Sequence, residues 1–316
     1  MANKKLRRAV ILQPRDYDLF ELLYRTGSAT ADQVFRASSV FALRFASLDR
    51  VQRRLRLLSD AGWIRRFEYQ TVKGIERAGY FKLALKGYRE WLDDHQAQPP
   101  TKRFFEPIAE GKYRHDYYLT EVIIKTLLGA RRRGLSITNF RPQGTAAIYV
   151  DDEPLLPDAM YELVNQAGRR FPQCIEIDGS SERRSLYGTD RWATKNLRYD
   201  RWADRLAEEG KPLPQVLVFS WKSRQRCQNI LARFGEETRD PNRILYKGCL
   251  VADYLSSIDP IGDSLFADHR RRGVPMIVPT LLSCGNAGTD QVETPSQVEY
   301  HSALLGKPTA VGMGTL

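Results

Sequence analysis

Long apolar runs are missing from this chain. Nowhere in its 316 residues is there a stretch of about 18 apolar residues, which excludes a membrane-spanning helix. Cysteine is scarce: Cys174, Cys227, Cys249 and Cys284 are the only four, far apart and with no CxxC spacing. That pattern fits neither a zinc site nor a small disulfide scaffold, and points to a reducing, cytoplasmic setting. No Walker A loop, GxGxxG, HExxH or internal repeat occurs, so the common phosphate-binding and zinc-protease signatures are absent. The basic opening Met1-Ala2-Asn3-Lys4-Lys5-Leu6-Arg7-Arg8 leads into polar sequence, and no secretory leader is expected.

What is abundant is positive charge. The chain carries a net +11 and a pI near 9.5, and residues 1–95 hold 19 Lys and Arg against 11 Asp and Glu. The excess therefore sits at the N-terminus, and a polyanionic partner is implied. No basic helix with a wide apolar face accompanies it, which favours nucleic acid over a membrane surface. At this length two domains are expected: residues 1–95, a polar Pro-containing linker at 96–112, and residues 113–268. A C-terminal extension at 269–316 follows, which opens on a charge run at 269–273, is Gly-, Thr- and Ser-rich over 285–316 and is expected to be partly disordered.

In the first region, Pro14 opens a helix that Gly27 stops, Thr30 caps a second helix over 31–37, and Ser47 caps a third that ends at Gly62. On the third helix Leu48, Val51, Leu55 and Leu58 form one stripe, and Arg50, Arg53, Arg54 and Arg56 occupy other faces, with Arg44 just upstream. Two strands follow, over 63–69 and 80–85, around a turn at Lys73-Gly74, and a short helix covers 86–94. Three helices with a two-stranded hairpin resemble the winged helix-turn-helix family. That resemblance implies that the arginine-bearing helix enters a major groove of double-stranded DNA and that the wing, with Arg65, Arg66 and Lys73, touches phosphates. Each arginine has a second reading, as a solvated charge.

The second region is organised around an acidic hairpin. Residues 155–164 and 171–179 are short, apolar and β-branched, and 165–169 has hairpin-loop composition. A loop centred on Ala167 pairs residues whose numbers sum to 334, as those of Asp158 and Glu176 do. Side chains alternate along a strand, so Asp178 shares a face with Glu176. Three like charges on one patch repel, and a divalent metal is the simplest counter-charge. The alternative is local: Asp158 caps a turn after Pro157, and Glu176 pairs with an arginine. Around the hairpin, a helix is expected from Tyr113 to about Arg133, a strand over 135–140, a helix from 189 or 190 to about Glu209, a buried strand over 214–221, a helix from Ser223 to Phe234, a strand over 243–246, and a further strand over 274–282. The order is α-β-β-β-α-β, an α/β domain with a mixed sheet.

That order, with Pro157-Asp158 on one strand and Glu176-Ile177-Asp178 on the next, resembles the PD-(D/E)xK restriction-endonuclease-like superfamily. With the basic N-terminal region in front, the layout is similar to the plasmid replication-relaxation family of mobile elements, which joins a winged helix to such a domain. The resemblance covers roughly residues 10–265; the order and spacing of the motifs carry it rather than any one of them. It implies that Asp158 and Glu176 bind Mg²⁺ or Mn²⁺ with the carbonyl of Ile177, and that a lysine orients the attacking water. The chain departs from the pattern at Asp178, which stands where the family keeps that lysine. Either Asp178 is an additional ligand and Lys195 takes the lysine's place from the neighbouring helix, or the site is degenerate; Lys195 also reads as a lysine snorkelling over an aromatic face.

Around these, His115 is a donor to a carboxylate or phosphate near the site, or a structural helix-start histidine. Glu182, just past the strand, supports the ligands from behind or is a solvated loop charge. Tyr199 is a nucleophile or, sharing a helix face with Trp192 and Trp202, a core residue. The sequence thus predicts a mobile-element DNA-binding protein that nicks or cleaves DNA with a metal-dependent domain and works beside other mobile-element processing proteins. Its alternative is a non-catalytic origin-binding or regulatory protein on a degenerate nuclease fold.

Overall fold

The computed structural model of the chain describes residues 10–69, 79–101, 103–179, 191–240 and 242–277. The fold is mixed α/β. Its first part consists of α1 (Pro14–Thr26), β1 (Ala29–Thr30), α2 (Ala31–Ala37), α3 (Leu48–Asp60), β2 (Ile64–Glu68), β3 (Gly79–Leu83) and α4 (Leu85–Leu92). The three strands form an antiparallel sheet in the order β1-β3-β2. Local chemistry sets the boundaries. Gln13 and Asp16 cap α1 reciprocally, Thr30 and Gln33 do the same for α2, and the Ser47 hydroxyl accepts from the Arg50 amide at the start of α3. Leu19, Phe20, Leu23, Val34, Val51, Leu55 and Leu58 are fully buried between these helices. At Gly87 a Cβ would stand 2.3 Å from the Trp63 carbonyl oxygen, so α4 can reach β2 only with glycine there.

Within the expected linker over 96–112, Phe104, Glu106 and Ile108 are tied to the N-terminal sheet and core. Phe104 and Ile108 are buried, the Ile108 amide donates to the Tyr80 hydroxyl at 2.9 Å, and Lys82 donates to the Glu106 carbonyl at 2.7 Å. The linker leads into α5 (Tyr113–Arg132), which belongs to both cores. Ile124 packs with the N-terminal helices, while Leu119, Val122 and Ile123 pack on the large sheet. Glu121, buried on the same helix, accepts from Gln33 at 2.8 Å and from Arg36 at 2.9 Å.

The second part follows as β4 (Ser136–Arg141), β5 (Ile148–Val150), β6 (Glu153–Leu155), β7 (Ala159–Val164), β8 (Arg170–Asp178), α6 (Arg191–Glu208), β9 (Gln215–Ser220), α7 (Arg224–Glu237), β10 (Tyr246–Leu250), α8 (Val251–Ser256), β11 (Phe266–Asp268) and β12 (Gly273–Val274). Seven strands form one sheet in the order β12-β11-β10-β9-β8-β7-β4. The central β8, β9 and β10 are parallel and the outer pairs antiparallel, so the expected mixed sheet is present. The parallel pairs require crossovers, which α6 and α7 supply. Leu119 of α5 and Tyr254 of α8 cover Ile175, Ile177, Leu217 and Phe219 on one face, while Tyr199 of α6 and Ile230 of α7 cover Cys174, Val216 and Val218 on the other.

Several expected boundaries shift. The strand expected over 155–164 splits at Pro157, and its first residue belongs to β6, which pairs with β5 in a separate hairpin. The strand expected over 243–246 begins at Tyr246 and runs on through Gly248. There a Cβ would lie 2.5 Å from the Cys227 sulfur and 2.9 Å from a Leu231 methyl, so the glycine serves close helix–sheet packing. Helix α8 and strand β11 were not anticipated. Of the strand expected over 274–282, only Val274 is strand among the described residues, and Met276 and Ile277 of the expected extension are buried against the sheet. No helix among the described residues is long and apolar enough to cross a membrane.

Candidate functional site

The acidic hairpin has the anticipated register. Ala159 faces Ile175, Met160 faces Cys174 and Val164 faces Arg170, each pair summing to 334. The ladder ends at Ala159 and Ile175. Asp158, one residue before β7, donates its amide to the Ile175 carbonyl at 3.0 Å, so the expected pairing of Asp158 with Glu176 is not formed and Asp158 reaches the neighbouring strand through its side chain. Its carboxylate curls over the neighbouring strand: Oδ2 accepts from the Ile177 amide at 2.8 Å and lies 3.1 Å from His115 Nε2. His115 reaches it from the first turn of α5, with its other nitrogen, Nδ1, 3.1 Å from Asp116.

Glu176 is buried, its side chain only 3% exposed. One carboxylate oxygen, Oε2, is ion-paired with Lys195; the other, Oε1, accepts from the Tyr199 hydroxyl at 2.7 Å. Both partners lie on α6, one turn apart. The aromatic face expected for that helix therefore does carry Lys195 to the sheet. Tyr199 is fully buried, and burial followed by the nearby Glu176 charge raises its hydroxyl well above 10. A buried phenol held in that state as a hydrogen-bond donor is a structural support rather than a nucleophile.

These environments drive the two carboxylates apart. Burial pushes Glu176 up to about 7, a shift that Lys195 opposes and Asp158 reinforces. Burial alone would raise Asp158 too, but the hydrogen bond and charge of His115, helped by Lys195 and the Ile177 amide, hold it below its ordinary value. Burial would lower the His115 imidazole; its bonds to Asp116 and Asp158 outweigh that and bring it up to about 10. At neutral pH the imidazole is thus a cation between two carboxylates.

Asp178 behaves differently from the third-ligand reading. It lies on the Glu176 face at the end of β8, paired with Ser220 of β9, but Arg226 on α7 takes both its oxygens, at 2.6 and 2.8 Å. The three carboxylates were expected to share a divalent metal as counter-charge, with an arginine partner for Glu176 as the alternative; in the structure each has its own protein cation, His115 for Asp158, Lys195 for Glu176 and Arg226 for Asp178. Among the described residues no group of three or more His, Cys, Asp or Glu is arranged to hold a metal ion. Arg226 was missed from sequence because it stands 48 residues from its partner and an arginine in a helix's first turn reads as a surface charge.

The N-terminal arginines divide in the same way. Arg44, Arg50, Arg53, Arg56, Arg65 and Arg66 are exposed. Arg65 is also tethered, donating to the Phe105 carbonyl at 3.0 Å with its guanidinium 4.9 Å from the Phe67 ring centre. Arg54 departs from expectation. It is ion-paired with the fully buried Asp16, donating through Nε to Oδ1 at 2.9 Å, and it also donates to the Ile11 carbonyl at 2.9 Å, so it ties α3 to α1. Arg56 and Arg66 line one side of a cleft of about 370 Å³ between α3 and the β2–β3 sheet, together with Gln52 and Asp60. Lys73 and Glu182 lie outside the described residues.

Comparison of the chain with family models, with curated proteins and with solved structures gave no match.

Proposed function

We propose that this is a DNA-binding protein of a mobile element, built from a winged helix-turn-helix and a PD-(D/E)xK nuclease-like domain that nicks or cleaves double-stranded DNA with a divalent metal, in plasmid replication or mobilisation. The observation that carries the reading is the meeting of Asp158, Glu176 and Lys195 at one end of the sheet, from two strands and a helix. The exposed arginines of α3 and β2 supply the phosphate-binding surface such a protein needs. Other mobile-element processing proteins are the natural co-workers of such an activity.

The donor set suits Mg²⁺ or Mn²⁺. Both side chains offer hard oxygen ligands, among the described residues both contacts to Asp158 fall on Oδ2 and leave Oδ1 without a partner, and Glu176 is held near 7 even with Lys195 against it, so further positive charge there is favourable. A bound divalent ion supplies stabilisation of the charge that develops on a phosphoryl group under attack. The chain's own residues do the rest. His115 and the Ile177 amide fix the Asp158 carboxylate, Tyr199 fixes that of Glu176, and Lys195 brings an ammonium group to the place where a water would be oriented.

A second reading is a non-catalytic origin-binding or regulatory protein on a degenerate nuclease fold. Its specific support is the cation that the fold already provides for each carboxylate, above all Arg226 on Asp178. Calorimetric titration with Mn²⁺ separates the two readings. The nuclease reading expects one site that is lost in Asp158→Ala and in Glu176→Ala and kept in Asp178→Asn. A wild-type protein that takes up no metal in the presence of DNA favours the second.

A further inference from the structure

Beside the acidic pair lies a cluster that the proposed chemistry does not use. Ser220 ends β9 opposite Asp178, and the next residue, Trp221, is half-buried at the same end of the sheet. Tyr118 of α5 stacks on it, ring centres 5.8 Å apart and planes 23° from parallel. Tyr117, 39% exposed, meets Tyr118 edge-on at 5.6 Å. Two exposed cations lean on the same indole: the Arg114 guanidinium at 5.5 Å and the Lys222 ammonium at 5.6 Å from its centre. Trp221 follows Ser220, the strand partner of Asp178, and Arg114 precedes His115, which holds Asp158, so the cluster lies at the same end of the sheet as the acidic site.

The cations are the informative part. Their neighbours on α7 are spent on carboxylates, Arg224 on Asp253 and Arg226 on Asp178. Arg114 and Lys222 form no ion pair among the described residues and rest on aromatic faces. A free cation next to a partly open aromatic ring matches a nucleotide in both of its halves, a phosphate for the charge and a base for the ring. A base can stack on a side chain only when its own neighbours are gone, so the matching strand is unpaired. We propose that Trp221, backed by Tyr118 and flanked by Arg114 and Lys222, forms a subsite for single-stranded DNA at the sheet end that carries Asp158 and Glu176. This rests on the reading of the protein as DNA-acting, and it makes the substrate at the sheet end a melted or displaced strand while the arginines of α3 hold duplex.

The test is fluorescence anisotropy of the full chain with metal chelated, using a labelled short oligothymidylate and a labelled blunt duplex. Trp221→Leu is expected to weaken oligothymidylate binding about tenfold, as the loss of one stacked base does. Arg114→Ala/Lys222→Ala is expected to weaken it and flatten its salt dependence, with duplex affinity within about twofold of wild type in both. Because Trp221 is partly packed, the exposed Arg114/Lys222 pair decides the matter if Trp221→Leu does not fold. Unchanged oligothymidylate affinity in the Arg114/Lys222 variant, or equal losses for single strand and duplex, overturns the subsite. Wild type that binds duplex but not oligothymidylate sinks this inference and leaves the proposed function standing. Cluster-dependent binding of oligothymidylate without duplex binding does the reverse.

Discussion

Arg226 donates to both oxygens of Asp178, at 2.6 and 2.8 Å, and so neutralises the residue that stands where the resembled nucleases keep their lysine. Asp178 is 5% exposed, and a carboxylate so placed is costly without a partner. Arg226→Met should therefore destabilise the fold by about 1–3 kcal/mol, the arginine's own partial exposure keeping the figure below that of a fully buried pair. Asp178→Asn/Arg226→Met should recover part of the loss. Urea unfolding of the two variants measures this. If Arg226→Met is as stable as wild type, the pair contributes nothing to the fold and Asp178 is free to act otherwise.

Glu176 predicts a particular pH dependence. Its carboxyl is raised in the folded protein from an ordinary 4.5 to about 7, chiefly by burial. The folded state then holds the proton more tightly than the unfolded chain, so this group's contribution to stability falls as pH rises from 4.5 to about 7 and is constant on either side. Glu176→Gln should remove that slope, a change of about 1–3 kcal/mol across the interval. Denaturant midpoints measured through the interval test it, and an unaltered slope in Glu176→Gln would place the titration elsewhere.

His115 acts at higher pH. Its folded value is raised from 6.5 to about 10, so the stability it adds is fully present below 6.5 and is lost as pH rises through 10. His115→Asn should flatten stability over that alkaline interval and loosen Asp158, whose carboxylate the imidazole holds. The expected companion result is weaker metal binding in His115→Asn with Glu176 unaltered. Unchanged metal affinity would reduce His115 to a helix-start residue.

The arginines of α3 separate folding from binding. Arg54 is paired with a fully buried aspartate, so Arg54→Ala should cost about 3–5 kcal/mol of stability. Arg53→Ala and Arg56→Ala, both exposed, should melt like wild type. Each should weaken duplex DNA binding and lower the salt slope by about 0.9 for each phosphate that is no longer neutralised. Thermal melts beside anisotropy titrations distinguish the two classes, and Arg53→Ala/Arg56→Ala with wild-type affinity would return that helix face to solvent.

Much of this architecture was legible because it is local. Caps at Thr30 and Ser47, the stop at Gly27, and the loop that sets the 334 register are all written within a few residues of the structure they specify. Lys195 was legible through helical spacing, since three turns of apolar residues fix the face it must share. What escaped depends on partners distant in sequence. Arg226 finds Asp178 only once β8, β9 and α7 are assembled, and Arg54 finds Asp16 only once α3 lies on α1. The strand expected to end at Tyr246 runs on through Gly248, where the reason for glycine is a helix passing over it, with Cys227 and Leu231 too near for any side chain. The β5–β6 hairpin precedes the expected strand over 155–164 and shares only Leu155 with it, and Pro157 separates that residue from β7.

The central claim is that Asp158, Glu176 and Lys195 form a metal-dependent phosphodiester-cleaving site. Its most direct test is the conversion of supercoiled plasmid carrying the cognate origin to nicked or linear forms in Mg²⁺ or Mn²⁺, by wild type and by Asp158→Ala, Glu176→Ala and Lys195→Ala. The account predicts cleavage by wild type that chelation abolishes and that each of the three substitutions reduces at least about a hundredfold. An intact plasmid with wild-type protein demonstrably bound to it, or cleavage that survives in Asp158→Ala and Glu176→Ala, would contradict it.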